Sequence, residues 1–517
     1  MQLIRPPFVF TSCGTGILSH KSRYLSQAAL SCSVPCLFCK LYDQTLNTMR
    51  LYSLLLLLAL PAVACAQSTA DNIRKVENNL AGWVNIENEA PTRWTIEERM
   101  KVHNVPGLTI CVIRDYKLEW AKGYGYADKE ANIPVTPQTL FQAASISKSL
   151  NAVGILKLVQ EGKLSLDADI NTYLKTWHPS ADSGKITIAH LLSHTAGLSV
   201  HGFPGYEMGD TIPTVEQILR GERPANTREV KPLFAPGVKM QYSGGGTTVT
   251  QLIETTVTGI PYDQFMQKEV LNPLGMTGSF YTQPAPENKR ALLATAYNRE
   301  GKAYKGKYHV YPEMAAAGLW TNPTDLSKYI IETQLALQGK SAKVLNQAMT
   351  QTRLTPYVGK NNALGAFIII DQRYFNHNGG NEGFRCVYYG SLDGGNGLVV
   401  MVNADDFNVI EEVTRSIGIT YGWENDFYKP EKVTSAPLPA DSVQQYVGKY
   451  QFRDVPLLVE AKEGKLYATV RDGAPMRMYY TTTGDFVLME ERGHLKLVNG
   501  DFTVGEGQGS ITFKRQP

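Results

Sequence analysis

The order of its patterned segments is the feature that most constrains how this 517-residue chain can fold. From Gly107 to Asp128 apolar and polar residues alternate about an Asp115-Tyr116 turn, which predicts a β-hairpin. Apolar residues then recur at helical spacing between residues 140 and 161, and the pattern stops at Gly162, so a helix is predicted there. From that point to about Leu337 the sequence predicts helices joined by long loops.

Strand-like segments return after this helical block. We expect strands at residues 363–371 and 386–403, Gly-rich turns at 378–383 and 393–397, and a closing helix at 407–423. Strands on both sides of a helical block favour one antiparallel sheet that is built from both ends of the domain. The predicted fold class is therefore α+β, with helices on the faces of the sheet and a helical subdomain at one side.

A second, smaller domain is predicted at the C-terminus. Residues 428–441 contain three prolines and no periodicity, and we interpret them as a linker. In residues 442–517, Gly-containing turns recur about every 8–12 residues between short apolar runs, which predicts a small antiparallel β domain, sandwich or barrel. These runs include Leu466–Val470, Phe486–Met489 and Leu495–Val498.

The N-terminal part contains a segment typical of a signal peptide. Met49-Arg50 precedes an apolar run from Leu51 to Ala64, and the run ends in Ala64-Cys65-Ala66. The run is too short to span a bilayer, which takes about 20 residues. Two interpretations stay open, cleavage after Ala66 or lipid attachment at Cys65, and we favour cleavage. Both predict export, to the periplasm or out of the cell, with residues 49–66 as the signal peptide.

A signal peptide at this position makes Met49 the expected start, so we interpret residues 1–48 as an upstream extension outside the fold. Its Cys32, Cys36 and Cys39 lack the second half of a metal site. Without residues 1–66 the chain loses five basic and one acidic residue, and the net charge changes from +3 to −1. Because both charge signs are interspersed, we expect no nucleic-acid partner.

The histidines of residues 190–201 are the strongest metal candidates. His190 and His194 are four residues apart, and His201 follows, which approaches the pattern of zinc proteases. Leu191 stands where that pattern needs a Glu, and His201 lies one residue too far along. No metal or other cofactor is therefore expected. The cysteines of the mature chain are predicted to be buried thiols; they are Cys111 and Cys386.

The segment Ser145-Ile146-Ser147-Lys148 is a candidate nucleophilic motif at the start of the predicted helix. Residues three apart on a helix share a face, so the Ser145 and Lys148 side chains can meet. Free N–H groups at a helix start favour an oxyanion at Ser145. A lysine can activate a serine when burial or nearby positive charge lowers its pKa. Taken alone, the spacing also fits an exposed surface pair.

Three ordered motifs carry a family resemblance. Ser145-x-x-Lys148, Tyr242-Ser243 after Phe234-Ala-Pro-Gly237, and His377-Asn378-Gly379 follow the order and approximate spacing found in serine β-lactamases and penicillin-binding proteins. The chain resembles that superfamily, in particular the branch of class C β-lactamases, D-alanyl-D-alanine carboxypeptidases and β-lactamase-like esterases. The resemblance implies a β-lactamase/transpeptidase-like hydrolase domain at residues 67–427. The C-terminal β domain resembles a lipocalin-like appendage of such hydrolases.

The resemblance implies roles for the motif residues. Ser145 would attack a carbonyl carbon and become acylated, and Lys148 and Tyr242 would move its proton to the leaving group. Tyr242 would later help to activate the hydrolytic water. The backbone N–H groups of Ser145 and Gly380 would form the oxyanion hole.

Two departures from the family pattern bear on substrate choice. Gly244 stands where the second motif usually has Asn, and His377 stands where the third motif usually has Lys. Gly244 and Gly379 are the candidate substrate-binding positions, and His377 is a candidate catalytic residue. His377 could donate a hydrogen bond without carrying a fixed charge. An Asn amide and a permanent positive charge would both help to recognise a β-lactam, and this chain lacks both.

The predicted function is an exported serine hydrolase that acts on esters or small peptide-like amides, with weak or absent β-lactamase activity. A β-lactamase or D-Ala-D-Ala carboxypeptidase is the first alternative. The second is a penicillin- or peptidoglycan-binding receptor without turnover, because a fold alone does not prove activity. Cell-wall peptides are among the candidate partners. His194 and Trp320 are interpreted as residues that support the cleft by packing.

Overall fold

The structure is a computed structural model that describes residues 68–517 apart from residues 88, 181–183, 472 and 506–509. The chain divides into two units, residues 1–66 and 67–517, and every described residue belongs to the second. The predicted extension and signal peptide, with Cys32, Cys36, Cys39 and Cys65, lie outside the described residues. None of the described helices is long and apolar enough to cross a bilayer.

The helices vary widely in length, and several are single turns. In chain order they are α1 (68–78), α2 (Ile96–Val102), α3 (Ser147–Gln160), α4 (Ile188–Leu192), α5 (Val215–Arg220), α6 (Gly244–Thr258), α7 (Tyr262–Met266), α8 (Asn272–Leu274), α9 (Met314–Ala317), α10 (Pro323–Leu337), α11 (Gln347–Leu354), α12 (Asn408–Tyr421), α13 (Glu424–Phe427) and α14 (Val443–Tyr446). A π-helical turn joins α7 to α8, and 3-10 turns lie at Ala144–Ile146, Ile170–Thr172, Glu287–Leu292 and Ala440–Ser442.

The strands belong to a central sheet, a C-terminal barrel and two small pairs. They are β1 (Val84–Ile86), β2 (Gly107–Arg114), β3 (Lys117–Asp128), β4 (Ile133–Pro134), β5 (Phe141–Gln142), β6 (Trp320–Thr321), β7 (Phe367–Ile369), β8 (Tyr374–Asn381), β9 (Phe384–Ser391), β10 (Gly397–Val402), β11 (Glu431–Val433), β12 (Gly448–Phe452), β13 (Val455–Lys462), β14 (Lys465–Val470), β15 (Met476–Tyr480), β16 (Phe486–Leu488), β17 (His494–Val498), β18 (Asp501–Val504) and β19 (Ile511–Arg515).

The central sheet is built from both ends of residues 67–427, as the segment order predicts. Its seven strands are antiparallel neighbours in the order β4-β3-β2-β10-β9-β8-β7. The predicted hairpin is β2–β3, and its turn residues Asp115 and Tyr116 both have positive φ, 51° and 61°. Two left-handed residues give the turn the twist that tightly joined antiparallel strands need.

Both faces of this sheet are covered. Along β2, Leu108 and Ile110 pack into a core with Val409 and Val413 of α12, while Cys111 faces the larger core on the other side. This larger core contains most of α3 and α10. Because side chains alternate along a strand, a strand such as β2, buried except at its last residue, joins two cores. The α+β prediction is confirmed, and Cys111 and Cys386 are buried free thiols.

The predicted helix at residues 140–161 begins later than expected. Residues 141–142 form β5, which pairs with β6, and Ala144 has a left-handed φ of 47°. A left-handed residue cannot continue an α-helix, so α3 starts only at Ser147. It ends at Gln160, just before Gly162, as predicted. The prediction of a helix is therefore wrong for residues 140–146.

The predicted Gly-rich turn at 378–383 is also wrong in part. Residues up to Asn381 belong to β8, and only Glu382 and Gly383 separate β8 from β9. Gly379 is needed for close approach rather than for a turn, because a β-carbon there would lie 2.2 Å from the Ala143 carbonyl oxygen. The strand expected at 363–371 is reduced to β7, since residues 370–372 all have positive φ.

The C-terminal part forms a closed barrel of the eight strands β12–β19, as one of the two predicted architectures. Tyr450, Phe486 and Phe502 fill its core, joined by Tyr446 of α14. The segment interpreted as a linker contains β11, which pairs in parallel with β1. Its partner strand lies far away in sequence, so local composition could not reveal it.

A buried ion pair ties α2 to α12. Arg99 donates from Nε and Nη2 to the two carboxylate oxygens of Glu412 at 2.8 and 2.7 Å, and both side chains are buried. Burial alone would raise the pKa of Glu412, but hydrogen bonds from His103 and Arg99 outweigh it and lower that pKa. The pair holds together the core on this face of the sheet.

Replacing Glu412 by Gln leaves the buried Arg99 charge without its carboxylate. We expect the free energy of unfolding to fall by about 3 kcal/mol, as when other buried pairs lose one partner. The matched control is Glu300→Gln, because Glu300 pairs with Lys302 at an exposed site, and it should change stability by less than about 1 kcal/mol. Urea titration of both variants measures the difference, and equal losses would contradict a structural role for the buried pair.

Candidate active site

Ser145 lies at a constrained turn in front of α3. It follows the left-handed Ala144 and sits in the 3-10 turn Ala144–Ile146, whose preceding residue Ala143 donates its N–H to the Leu319 carbonyl oxygen at 2.8 Å. Between Thr139 and Leu156, Ser145 is the only residue that is not buried. An unfavourable φ held by surrounding structure is typical of functional sites. The turn thus presents one hydroxyl to solvent from an otherwise closed core.

Lys148 lies beside this hydroxyl, one helical turn later. Its Nζ donates to Ser145 Oγ at 3.0 Å and to the Ala316 carbonyl oxygen at 2.7 Å. The side chain is buried, and no described carboxylate forms an ion pair with it. Burial lowers the pKa of Lys148 to about 7, because removing water penalises the charged form. A large fraction of the amines is therefore neutral near neutral pH and can accept a proton.

Tyr242, which belongs to the second motif, lies over the Lys148 amine. Lys148 Nζ lies 5.0 Å from the centre of the Tyr242 ring. Burial raises the pKa of Tyr242 above its usual value, and the nearby Ser145 hydroxyl lowers it by less. Tyr242 therefore stays a neutral phenol. The next residue, Ser243, caps α6 by accepting from the Gly246 N–H at 2.8 Å, which fixes where Tyr242 lies.

His377 contributes an uncharged ring to the same cluster. Burial and the nearby Lys148 lower the pKa of His377 to about 3, so the imidazole is neutral at ordinary pH. Its Nδ1 lies 2.6 Å from the Asn378 carbonyl oxygen, which can only accept a hydrogen bond. The proton is therefore on Nδ1, and Nε2 is left as an acceptor. The hydrogen bond that this ring donates is therefore made to the Asn378 carbonyl, and Nε2 offers the site an acceptor.

The strand that carries His377 has an open side at the site. Strand β7 pairs only with residues 374–376 of β8, so the backbone from His377 to Asn381 does not pair with β7. Gly380 is exposed there, while Gly379 is buried against the Ala143 carbonyl. The close approach at Gly379 brings β8 next to the turn that holds Ser145. This is the arrangement in which two backbone N–H groups can meet one oxyanion.

Gly244 lies at the first position of α6, but its backbone N–H is already used. It donates to the His201 carbonyl oxygen at 3.0 Å, and a β-carbon at Gly244 would lie 2.9 Å from the Phe203 ring. Phe203 thus occupies the space in front of the position where related motifs have Asn. The sequence alone did not point to Phe203, since its role depends on a loop folding back onto α6.

His194 and His190 both accept hydrogen bonds from backbone N–H groups. His194 Nδ1 accepts from the Ser243 N–H at 3.2 Å, and its ring lies 4.2 Å from that of Tyr242. His190 accepts from the Thr187 N–H at 3.3 Å in the cap of α4. Within the described residues no group of His, Cys, Asp and Glu is placed to hold a metal ion. Trp320 is fully buried and packs against Phe384.

Sequence reasoning missed two contributors besides Phe203. The Ala316 carbonyl of α9 accepts from Lys148, and Ala144 sets the direction of Ser145. Both act through the backbone, so their side chains give no chemical signal. The run of small residues at 315–318 lets α9 approach α3 closely enough for this hydrogen bond.

Comparisons with known proteins identify the family of this chain. A family model described as beta-lactamase matches residues 93–416. A beta-lactamase of Pseudomonas fluorescens is 29% identical over 269 residues, which are 51% of this chain and 69% of that protein. Protein flp of Staphylococcus aureus (strain N315) is 26% identical over 322 residues, or 60% of this chain. The match spans 61% of protein flp, less than two thirds of its length.

Solved structures support the fold alone, since their sequence identities are low. A penicillin-binding protein homologue from Pyrococcus abyssi has a TM-score of 0.55 and 20% identity, covering 81% of this chain and 98% of that one. A beta-lactamase/D-alanine carboxypeptidase from Pseudomonas syringae has a TM-score of 0.51 and 22% identity, covering 62% of this chain and 95% of that one. Because the family model matches more than half of the sequence, the chain belongs to the beta-lactamase family.

Proposed function

We propose that the protein is a serine hydrolase that forms an acyl-enzyme on Ser145 and acts on esters or small peptide-like amides, with little or no turnover of β-lactams. Its family consists mostly of serine hydrolases. The observation that carries the proposal is the 3.0 Å contact between the buried Lys148 amine and Ser145 Oγ. An inactive site would not require an amine of lowered pKa in contact with that hydroxyl.

Lys148 is the proposed base for acylation. In its neutral form the amine takes the proton of Ser145 as Oγ forms a bond to the carbonyl carbon, and negative charge moves to the carbonyl oxygen. The backbone N–H groups of Ser145 and Gly380 are proposed to stabilise that oxygen. The proton then passes through Lys148 and Tyr242 to the leaving group as its bond to carbon breaks.

Tyr242 is proposed as a proton relay in both half-reactions. Because its pKa is raised, the phenol keeps its proton and can donate it while accepting another, rather than act as a phenolate base. In deacylation a water attacks the acyl carbon, its proton moves through Tyr242 and Lys148, and Ser145 is released as a hydroxyl. The His194 ring packs against the Tyr242 ring and keeps it in line.

The substrate preference rests on Phe203 and His377. Phe203 places an apolar ring where an Asn amide would meet an acylamino group. His377 is neutral and presents an acceptor, so it offers no positive charge to a substrate carboxylate. Both features favour a neutral, apolar acyl group over a β-lactam or a peptide with a free C-terminus.

The activity should depend on pH through Lys148. Because only the neutral amine can accept a proton, kcat/KM for a short p-nitrophenyl ester should rise about ten-fold per pH unit below an apparent pKa near 7 and level off above it. Lys148→Met should lower kcat by about 10³-fold. Lys157→Met on the same helix, which pairs with Glu161 at the surface, is the control and should keep the profile. Unchanged turnover in Lys148→Met would contradict the proposed base.

Covalent probes should identify Ser145 as the nucleophile. A fluorophosphonate probe and a fluorescent penicillin should label the wild type and the exposed-site control Ser165→Ala, but not Ser145→Ala. Penicillin labelling of the wild type should be slow, because groups that would recognise a β-lactam are absent, and the label that forms should decay with time, because water can attack the acyl group. Labelling of Ser145→Ala would exclude this nucleophile. A label that never decays, together with inert esters, would favour a receptor without turnover.

Simple esters should be better substrates than β-lactams. We expect p-nitrophenyl acetate and butyrate to be hydrolysed at least about ten times faster than nitrocefin at equal concentration, because the amide and charge that hold a β-lactam are absent. Initial rates measured by absorbance, with Ser145→Ala as the blank, make the comparison. Fast nitrocefin turnover with inert esters would overturn the preference while leaving the Ser145 mechanism intact.

A further inference from the structure

A cavity of about 540 Å³ lies behind the strand that carries His377. It is bounded by β8 and β9, by α12 and by the barrel turn that contains Arg492. Asn378 lines it, and because neighbouring side chains on a strand point to opposite faces, it lies across the sheet from His377. The volume falls in the range of small-molecule sites. The cavity is therefore separate from the candidate active site.

Three separate parts of the chain form the polar end of this cavity. Trp83 comes from the segment before β1, Arg415 from α12 and Arg492 from the barrel. The guanidinium carbons lie 4.2 Å (Arg415) and 3.5 Å (Arg492) from the centre of the Trp83 ring. Cation–π contacts hold both guanidiniums in place without using up their N–H groups. Two positive groups thus contact the same aromatic ring.

Arg415 is committed within the protein, whereas Arg492 is not. The Arg415 side chain is 2% exposed, and its Nε donates to the Ala81 carbonyl oxygen at 2.6 Å. Its Nη1 forms an ion pair with Glu411 at 3.6 Å. Arg492 is exposed and forms no hydrogen bond or ion pair within the described part of the chain. The N–H groups of Arg492 are therefore available to a ligand with an acceptor oxygen.

None of the described carboxylates that line the cavity forms an ion pair with Arg492. Glu411 is half exposed, pairs with Arg415 and accepts from Trp83 Nε1 at 3.3 Å. Asp426 is held by an ion pair with Arg373 and by the Tyr374 hydroxyl at 2.9 Å. Burial, Glu411 and Glu490 raise the pKa of Glu491, and Arg415 lowers it by less. Arg492 is therefore the guanidinium left for an anion.

Another part of the cavity wall is apolar, and it includes Ile369, Val387, Tyr389, Phe407 and Phe427. An inorganic anion would leave these side chains exposed to water. A molecule with both a charge and an apolar tail would cover them. Carboxylates pair well with the planar fork of arginine.

We propose that this cavity is a binding site for a small monocarboxylate with an apolar or aromatic tail. Arg492 takes the carboxylate beside Trp83, the buried charge of Arg415 adds to the attraction, and the apolar part of the wall takes the tail. The site joins the hydrolase domain to the barrel, so a bound ligand stabilises their contact. This binding does not depend on the reaction proposed for Ser145.

The test uses phenylacetate and octanoate as probes, with phenylacetamide as the uncharged match. Calorimetry on the full chain should give a Kd below about 1 mM for at least one carboxylate, and at least about ten-fold weaker binding for the amide. Arg492→Gln should weaken carboxylate binding by a similar factor, and Arg492→Lys by less. The control Arg453→Gln changes an exposed barrel arginine outside the cavity and should bind as the wild type does.

A second measurement separates this cavity from the active site. Ser145→Ala should bind the carboxylates unchanged, and Trp83→Phe should lose any fluorescence change that binding produces in the wild type. The proposal is overturned if neither carboxylate binds, if the amide binds equally well, or if Arg492→Gln binds like the wild type while its melting temperature is unchanged. Loss of binding in Ser145→Ala would instead place the ligand at the active site and would also overturn it.

Discussion

The burial of one amine is the constraint on which the candidate site depends. Lys148 reaches Ser145 from a helix whose first ten residues are all buried, between α6, α9 and the central sheet. The packing that excludes water lowers the pKa of Lys148. The amine is held in place by a hydrogen bond to the Ala316 carbonyl oxygen, which, unlike a carboxylate, carries no full negative charge. Any loosening of this core would restore the charge and remove the proposed base. The proposed role of Lys148 as a base thus depends on the packing around α3.

The site residues come from three distant segments, and backbone contacts rather than side chains bring them together. Gly379 lets β8 approach the turn before Ser145, and the cap at Ser243 holds Tyr242 over the amine. His194 links the second motif to the loop after α4 through the Ser243 N–H. These contacts explain why short motifs so far apart in sequence can act as one cluster.

Sequence reasoning succeeded where the signal was local or repeated. The Asp115-Tyr116 turn, the sheet built from both ends and the C-terminal β domain all follow from alternation and turn residues. It failed where a distant partner decides the local structure. Residues 141–142 pair with β6 instead of opening the helix, the glycines at 379–380 belong to a strand, and β11 pairs with β1. The tautomer of His377 follows from one carbonyl contact that no pattern encodes.

The same distinction, between a local signal and a distant partner, applies to the proposed reaction and to the choice of substrate. Ser145, Lys148 and Tyr242, the residues proposed to carry the bond-making chemistry, can be found from ordered motifs in the sequence. Substrate choice depends on what fills the space around them, and here a loop residue, Phe203, fills the place left by a missing Asn side chain. A glycine at position 244 therefore does not mean an enlarged pocket. We infer that changing specificity in this chain requires moving Phe203 before any amide can be restored at residue 244.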